Sequence, residues 1–492
     1  MLLLGIDLGS SSVKASVIDG ESGKCLATAY SPLDEMKIIA LKPGWAEQNP
    51  EVWWSNLKIA IGECLQKLGE KKNEIGAIGV SYQMHGLVVV DKNSKVLRNS
   101  IIWCDSRAVG YGEKALSSIG KEFCLSHLLN SPGNFTASKL AWVKENEPEV
   151  FSSIYKAMLP GDYIALKLTG EISTSFTGLS EGIFWDFSLG KVSEELMNYY
   201  GFDLNLLPEA KPSFSISGQL LKSVANELGL PEGIPVSYRA GDQPNNALSL
   251  NVINPGEVAA TAGTSGVIYG VTDKKKFDSL SRVNTFLHVN HTKSQTRLGV
   301  LLCINGAGIL NSWLRKNVGC AQSYDDINNM AEKVAPGSDG LSILPFGNGA
   351  ERMLENKERN AKIEGLNFNI HTKAHLFRAA QEGIAFSFRY GLDIMKEVGI
   401  EPVVIRAGEA NMFLSKVFRE ALSSITGTAI HLYNTDGSMG AARGAGIGCG
   451  YYKSEKEAFN GLVTVGITEP DNLKKVYYEE AYLKWKTLLS VL

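Results

Sequence analysis

The sequence predicts an α/β protein of two related domains facing each other across a central cleft. Three observations carry this reading. The chain has 492 residues, more than one hydrophobic core usually serves. Short apolar runs alternate with helical stretches, the pattern of mixed or parallel sheets covered by helices. One segment also recurs, since residues 7–19 align without gaps on 261–273. Gly9/Gly263, Ser11/Ser265, Val13/Val267, Val17/Val271 and Asp19/Asp273 are identical, and Ser10 matches Thr264 hydroxyl for hydroxyl. Each copy opens what would be a domain, so a duplicated fold is the economical explanation. The boundary falls between about Leu248 and Glu257, where Asn254-Pro255-Gly256 supplies turn chemistry. The expected domains are 1–248 and 249–492.

Leu2 to Leu8 reads as a strand, broken at Gly9-Ser10-Ser11-Ser12 and resumed from Val13 to Asp19, which makes a hairpin. A helix opens at Glu51 to Trp54 and runs to about Leu68. Ile75–Ser81 and Leu87–Asp91 are short buried strands. Ile101 to Trp103 is a third apolar run, ending in the polar group 104–107. Ser138–Glu145 and Pro148–Ala157 read as amphipathic helices. Gly233 to Val236 leads through a tight turn at Asp242 into a helix. Val403 to Leu414 reads as a strand running into a small-residue loop and a helix, and 437–446 as a Gly/Ala-rich helix suited to close packing.

Composition narrows the function. Apolar residues make up 44% and charged residues 21%, ordinary values for a globular protein. The net charge of -3 gives no electrostatic case for a nucleic-acid partner. The opening apolar run is interrupted by Asp7 and lacks a signal peptide's basic start. No stretch approaches the ~20 apolar residues that span a bilayer. Seven scattered cysteines without a CxxC pair look like reduced, mostly buried thiols. A cytoplasmic enzyme with no membrane partner is expected.

Two Gly/hydroxyl turns, at Gly9–Ser12 and Gly263–Ser265, would clamp phosphates if they face each other. Their N–H groups and hydroxyls are donors, and glycine lets the chain approach closely. Neither is a Walker A loop, and either alone reads as a plain hairpin turn. Asp7 ends a buried strand just before the first turn. Such an aspartate is a natural anchor for Mg²⁺, often through its waters; otherwise it bonds Ser10 or Ser11 within the turn. Asp242, at the end of a strand where open α/β sheets place ligands, is the candidate for chemistry, with a helix N-cap as the other reading. Met84 and His85 lie between two strands, where a lone His is more often structural than functional and a Met more often core. Trp103 and Asp105 are ligand-site candidates, set against a surface turn with an Asp–Arg107 pair. Asn411 follows a loop small enough to admit a flat ring.

Together these segments resemble the FGGY family of carbohydrate kinases, within the actin/hexokinase-like fold group. The likeness runs from 5–14 to 440–445, with Asp162-Tyr163 and Leu168-Thr169-Gly170 also matching the family's wording. It implies two ribonuclease H-like domains, with ATP and a small sugar as partners and Mg²⁺ as a cofactor. Met84-His85-Gly86 is similar to the sugar motif of xylulokinases, where glycerol kinases carry Arg-Glu. By this resemblance Met84 and His85 contact the sugar and Asp242 is the catalytic base. The ATP phosphates fall on Gly9, Ser10, Ser11, Ser12, Lys14, Gly263, Thr264 and Ser265, with adenosine near Gly308, Gly408 and Asn411. Two departures mark this chain: Arg-Ala-Gly-Glu at 406–409 in place of a Gly-Gly-Gly-Ala type of loop, and Asp242-Gln243-Pro244-Asn245 in place of Asp-Asn-Ala. The other expectations are a family kinase acting on gluconate, ribulose or a related ketose, or a chaperone- or actin-like ATPase. His85 and Asp242 speak against the ATPase. The oligomeric state is left open, a homodimer being one option.

Overall fold

A computed structural model describes residues 1–320 and 322–490. It contains two large mixed sheets. The first comprises β1 (Leu2–Leu8), β2 (Val13–Asp19), β3 (Cys25–Ser31), β4 (Ile75–Tyr82), β5 (Phe214–Gln219) and β6 (Pro235–Gly241), in the order β5-β6-β4-β1-β2-β3. The second comprises β7 (Glu257–Ala262), β8 (Gly266–Thr272), β9 (Asn284–Leu287), β10 (Leu298–Ile304), β11 (Val404–Gly408), β12 (Ile430–Tyr433) and β13 (Thr464–Thr468), in the order β9-β10-β8-β7-β11-β12-β13.

Both sheets repeat one pattern, the duplicated ribonuclease H-like arrangement. An antiparallel trio comes first: β1, β2 and β3, or β7, β8 and β10. Two strands then run parallel to the first of the trio, β4 and β6 or β11 and β12. An antiparallel edge closes each sheet, β5 or β13. The second sheet adds β9 outside β10.

The gapless repeat holds on the first strand and the turn but slips on the second. Leu8 pairs with Val13 across a four-residue turn, whereas Ala262 pairs with Gly266 across three residues. Side chains alternate along a strand, so one residue of register exchanges faces. The residue opposite Asp7 is Lys14, and the residue opposite Thr261 is Val267 rather than the aligned Ile268.

Helix α1 (Pro50–Leu68) covers one face of the first sheet. Asn49 caps it by accepting from Glu51 N at 3.0 Å, and Pro50 opens it where a missing N–H is harmless. The other face is covered from far along the chain, by α8 (Gly437–Gly448), which lies on β1, β4 and β6. Only small residues allow this approach. A methyl group added at Gly5 or Gly79 would fall inside the backbone of α8. The division in space therefore differs from the division along the chain. Helix α4 (Asp242–Ser249) packs against α8 and touches β7 and β8, so these two helices join the sheets.

Several local expectations change. Pro148–Ser152 is a single helical turn, and Lys156–Met158 is a strand paired with Val88–Val90. Helix α2 (Thr136–Asn146) is buried all round from Thr136 to Val143 instead of amphipathic, its apolar residues belonging to a core cluster that also includes Phe286 and Leu287 of β9. Of the seven free cysteines only Cys64 and Cys124 are buried, while Cys104 and Cys320 are exposed. Among the described residues no helix is long and apolar enough to cross a membrane.

Candidate active site

Asp7 ends β1, and its Oδ1 accepts from Ser81 Oγ at 2.7 Å on the neighbouring β4. The hydroxyls of Ser10 and Ser11 are therefore not its partners. The N-terminus of α8 comes so close that a side chain at Gly437 would overlap the Asp7 carboxylate. Burial raises the Asp7 pKa, and Asp436 adds to the effect, while Ser81 and Lys14 oppose it. Asp436 itself caps α8, accepting from Met439 N at 3.0 Å and Ser438 Oγ at 2.6 Å. Burial works against its charge, but Lys14, 2.6 Å away, and these hydrogen bonds hold its pKa below the usual value. One of the three Lys14 donors is thus spent on Asp436.

The first turn is held from outside. Gly9 N donates to Ser12 O at 3.0 Å and Met36 N to Ser11 O at 2.7 Å. Gln48 Nε2 reaches Ser10 O at 2.7 Å, and Trp103 Nε1 reaches Ser10 Oγ at 3.2 Å. Trp103 is thus beside the phosphate turn and half exposed.

Asp242 occupies the first position of α4, with Gly241 in the cap position, so it is no N-cap. Burial, and then the charge of Asp7, push its pKa up to about 7. A carboxylate that titrates near neutrality is matched to taking a proton at physiological pH.

Beside it lies the Met84–His85 pair. Met84 packs over Gly241, immediately before Asp242. The His85 ring meets Phe135 edge-on at 4.8 Å between centroids and Phe286, from β9 of the second sheet, at 5.3 Å. Its Nδ1 stands 3.0 Å from the Glu181 carbonyl oxygen, which can only accept. The ring therefore carries its proton on Nδ1 and offers Nε2 as an acceptor. Burial, then Lys139, lower its pKa to about 3, so the ring stays neutral.

Asp105 departs from its expected part. It is fully buried, with one oxygen accepting from Ala46 N at 2.5 Å and both bonded by Arg107, whose guanidinium stacks 3.8 Å over Trp45. It builds the wall and has no oxygen free for a sugar. The alternative of a surface Asp–Arg pair is right about the pair and wrong about the surface.

The second turn lines a cavity of about 280 Å³ with Gly308, Asn311, Ser312, Tyr324 and Asn411. Gly308 N and Ile309 N, which open α5 (Gly308–Asn317), donate to Gly263 O and Thr264 O at 2.9 and 3.1 Å. The cavity joins Gly263, Thr264, Gly308 and Asn411 as expected. Gly408 ends β11 three residues before Asn411 and lies outside the lining, as does Ser265.

Asp436, Gln48, Lys139, Glu181 and Phe286 were not singled out from the sequence. Only Asp436 carries a local signal, an Asp before a small-residue helix. The others are drawn in by segments remote in the chain.

Comparison with known proteins agrees with this geometry. Residues 2–249 match the model of the N-terminal domain of the FGGY family of carbohydrate kinases, and residues 258–449 that of its C-terminal domain. A xylulose kinase of Bacillus subtilis is 29% identical over 464 residues, covering 92% of this chain and 90% of the relative. The crystal structure of a xylulose kinase from Rhodospirillum rubrum superposes with a TM-score of 0.90 at 26% identity, covering 100% of this chain and 99% of that one. A gluconate kinase from Lactobacillus acidophilus shares the fold, with a TM-score of 0.89 at 23% identity, covering 100% of this chain and 98% of that one. Both halves of the chain match in order and nearly end to end, and the chain belongs to the FGGY family of carbohydrate kinases, ATP-dependent sugar kinases.

Proposed function

We propose that this kinase phosphorylates D-xylulose at its terminal hydroxyl to give D-xylulose 5-phosphate. The observation that carries the proposal is the pairing of a neutral, acceptor-bearing His85 and Met84 with Asp242 at the end of β6. The names of the relatives point the same way. Asp242 accepts the hydroxyl proton as that oxygen bonds the γ-phosphorus in line, and the bond to the β-phosphate oxygen breaks with its electron pair leaving on ADP. The N–H groups and hydroxyls of Ser10–Ser12 and of Gly263–Ser265 stabilise the phosphate charge, Gly9, whose N–H is spent on Ser12 O, allows the close approach, and the cavity beside Asn411 takes the adenosine. The sugar and first-turn groups fall within 1–248, and the adenosine cavity within 249–492.

Mg²⁺ fits beside Asp7 through waters. Among the described residues no three Asp, Glu, His or Cys side chains gather to cage a metal, and Mg²⁺ commonly needs only one or two carboxylates besides waters and phosphates. When bound it would neutralise phosphate charge.

A coupled ADP-release assay across pentuloses, hexuloses, polyols and aldonates tests the proposal. D-xylulose is expected to give the highest kcat/KM, because losing one paired hydroxyl can cost ~10⁴-fold in sites built to bind it. A higher value for gluconate or ribulose would reassign the substrate. ATP turnover indifferent to every sugar would leave only an ATPase.

A further inference from the structure

His85 sits in a backbone conformation that its side chain disfavours, with φ of 62°. For a residue other than glycine this is a strained position that its surroundings must enforce. Two buried ionisable residues do so from opposite sides. Lys139 Nζ donates to His85 O at 2.7 Å. Glu181, which ends α3 (Phe176–Glu181), takes the other side, with His85 N 3.4 Å from its Oε1 and His85 Nδ1 3.0 Å from its carbonyl oxygen. Glu181 is 1% exposed.

The remaining oxygen of Glu181 is unusual. Oε2 is buried and makes no well-formed hydrogen bond among the described residues; the buried Tyr82 hydroxyl, which has no other partner among them, is a donor near the carboxyl group. It lies over Gly241, where an added methyl would stand 2.5 Å from it and 2.5 Å from Met84 Cγ. One carboxyl group thus touches the sugar-reading pair through His85 and the strand end that carries Asp242. A buried carboxylate with an unsatisfied oxygen is costly, so the group needs a stronger reason to be there than packing.

We infer that Glu181 is a positioning residue that locks Met84 and His85 in register with Asp242, and so sets sugar affinity without touching the sugar. This rests on the sugar-kinase site proposed above. Around Glu181 stand Tyr82, Asp162, Asp242 and Tyr269, with Arg239 paired to Asp162 at 3.0 Å. Burial, and then the charge of Asp242, drive the Glu181 pKa far above the ordinary carboxylate value. Burial thus works against its charge, so an uncharged amide of the same shape is the conservative replacement.

The test compares Glu181→Ala with Glu181→Gln in the full chain. Removing the group should raise KM for the best sugar substrate about tenfold, the scale of one lost buried hydrogen bond, with KM for ATP and sugar-free ATP hydrolysis within about twofold. Glu181→Gln should restore the sugar KM to within about threefold, because it keeps the shape and the acceptor for His85 N. A second measurement needs no substrate. In histidine-labelled protein, ¹⁵N resonances should show His85 neutral and Nδ1-protonated in wild type and in Glu181→Gln. In Glu181→Ala its titration should move upward from about 3 toward the ordinary value as the clamp opens. An unchanged His85 titration in Glu181→Ala overturns the inference, as does a Gln variant as impaired as the Ala variant. If Glu181→Ala does not fold, the Gln variant decides alone, by keeping or losing the wild-type sugar KM; the His85 tautomer, held by the main-chain carbonyl of residue 181, should persist in it either way. Should wild type phosphorylate no sugar, the functional proposal fails while the His85 measurement still judges the clamp.

Discussion

The turns at Gly9–Ser12 and Gly263–Ser265 descend from one hairpin pattern and do different work. At the end of the first leading strand is Asp7, opposite Lys14; at the same place in the second is Thr261, opposite Val267. The first turn is therefore ringed by charge, with Asp436 and Asp242 closing on Asp7. The second is ringed mainly by amides and hydroxyls, with Asn311, Ser312, Asn328 and Asn411 around its cavity and Asp325 as the one carboxylate in the described lining. In the proposed reaction both turns would serve phosphate through their backbones, and the first, with Asp7 raising the pKa of Asp242, would also tune the base and attract a cation. On the proposed mechanism, a few side chains at the ends of two similar turns would separate chemistry from nucleotide binding.

The sharpest way to break this contrast is at Asp242. Asp242→Asn should keep ATP and sugar binding while phosphoryl transfer falls by about 10²–10⁴-fold, the range for a general base. Near-normal turnover would reduce the charged side to scaffolding. The pH profile comes next. Asp242 must be ionised to accept a proton, and its pKa is raised to about 7. So kcat/KM should fall about tenfold per pH unit below that point and level off above it. A flat profile down to pH 5 would place the base elsewhere.

Equivalent substitutions sharpen the comparison further. Asp7→Asn should lower kcat by roughly 10–100-fold, as expected of a group that holds a metal through its waters, and the Mg²⁺ concentration needed for half activity should rise. Thr261→Val, at the matching place, should change either quantity less than about threefold if the second turn binds only through its backbone. Equal responses would erase the distinction. The smallest effect belongs to Lys14→Met. The Lys14–Asp436 pair is partly exposed, so thermal or urea unfolding should report a loss of about 1 kcal/mol or less.

Much of this was legible in the sequence because it rests on local rules. Hydrophobic runs around a Gly/Ser turn specify the hairpin of β1 and β2 whatever surrounds them, and the strand–turn–helix at Asp242 reads directly from its residue types. The small residues of 437–446 announced close packing, and the structure supplies the partner, the first sheet at Gly5 and Gly79. Where local signals were copied across the repeat, they erred by one residue on β8, since a turn one residue shorter costs little in sequence similarity and changes every face. Asp105 failed in another way. Its pairing with Arg107 was readable, but its complete burial comes from Trp45 and Ala46, some 60 positions away.

The sequence by itself determined the two sheets, the paired turns and the residues able to do acid–base and phosphate chemistry, because strands, turns and caps depend on neighbours a few positions apart. Only the tertiary structure decided what those residues become. Asp242 acquires its pKa from burial and from Asp7, 235 positions earlier; His85 keeps its tautomer through Glu181; Lys14 meets Asp436 from the far end of the chain. Charge and proton affinity depend on distance and desolvation in three dimensions, and neither quantity is written in any local stretch of chain.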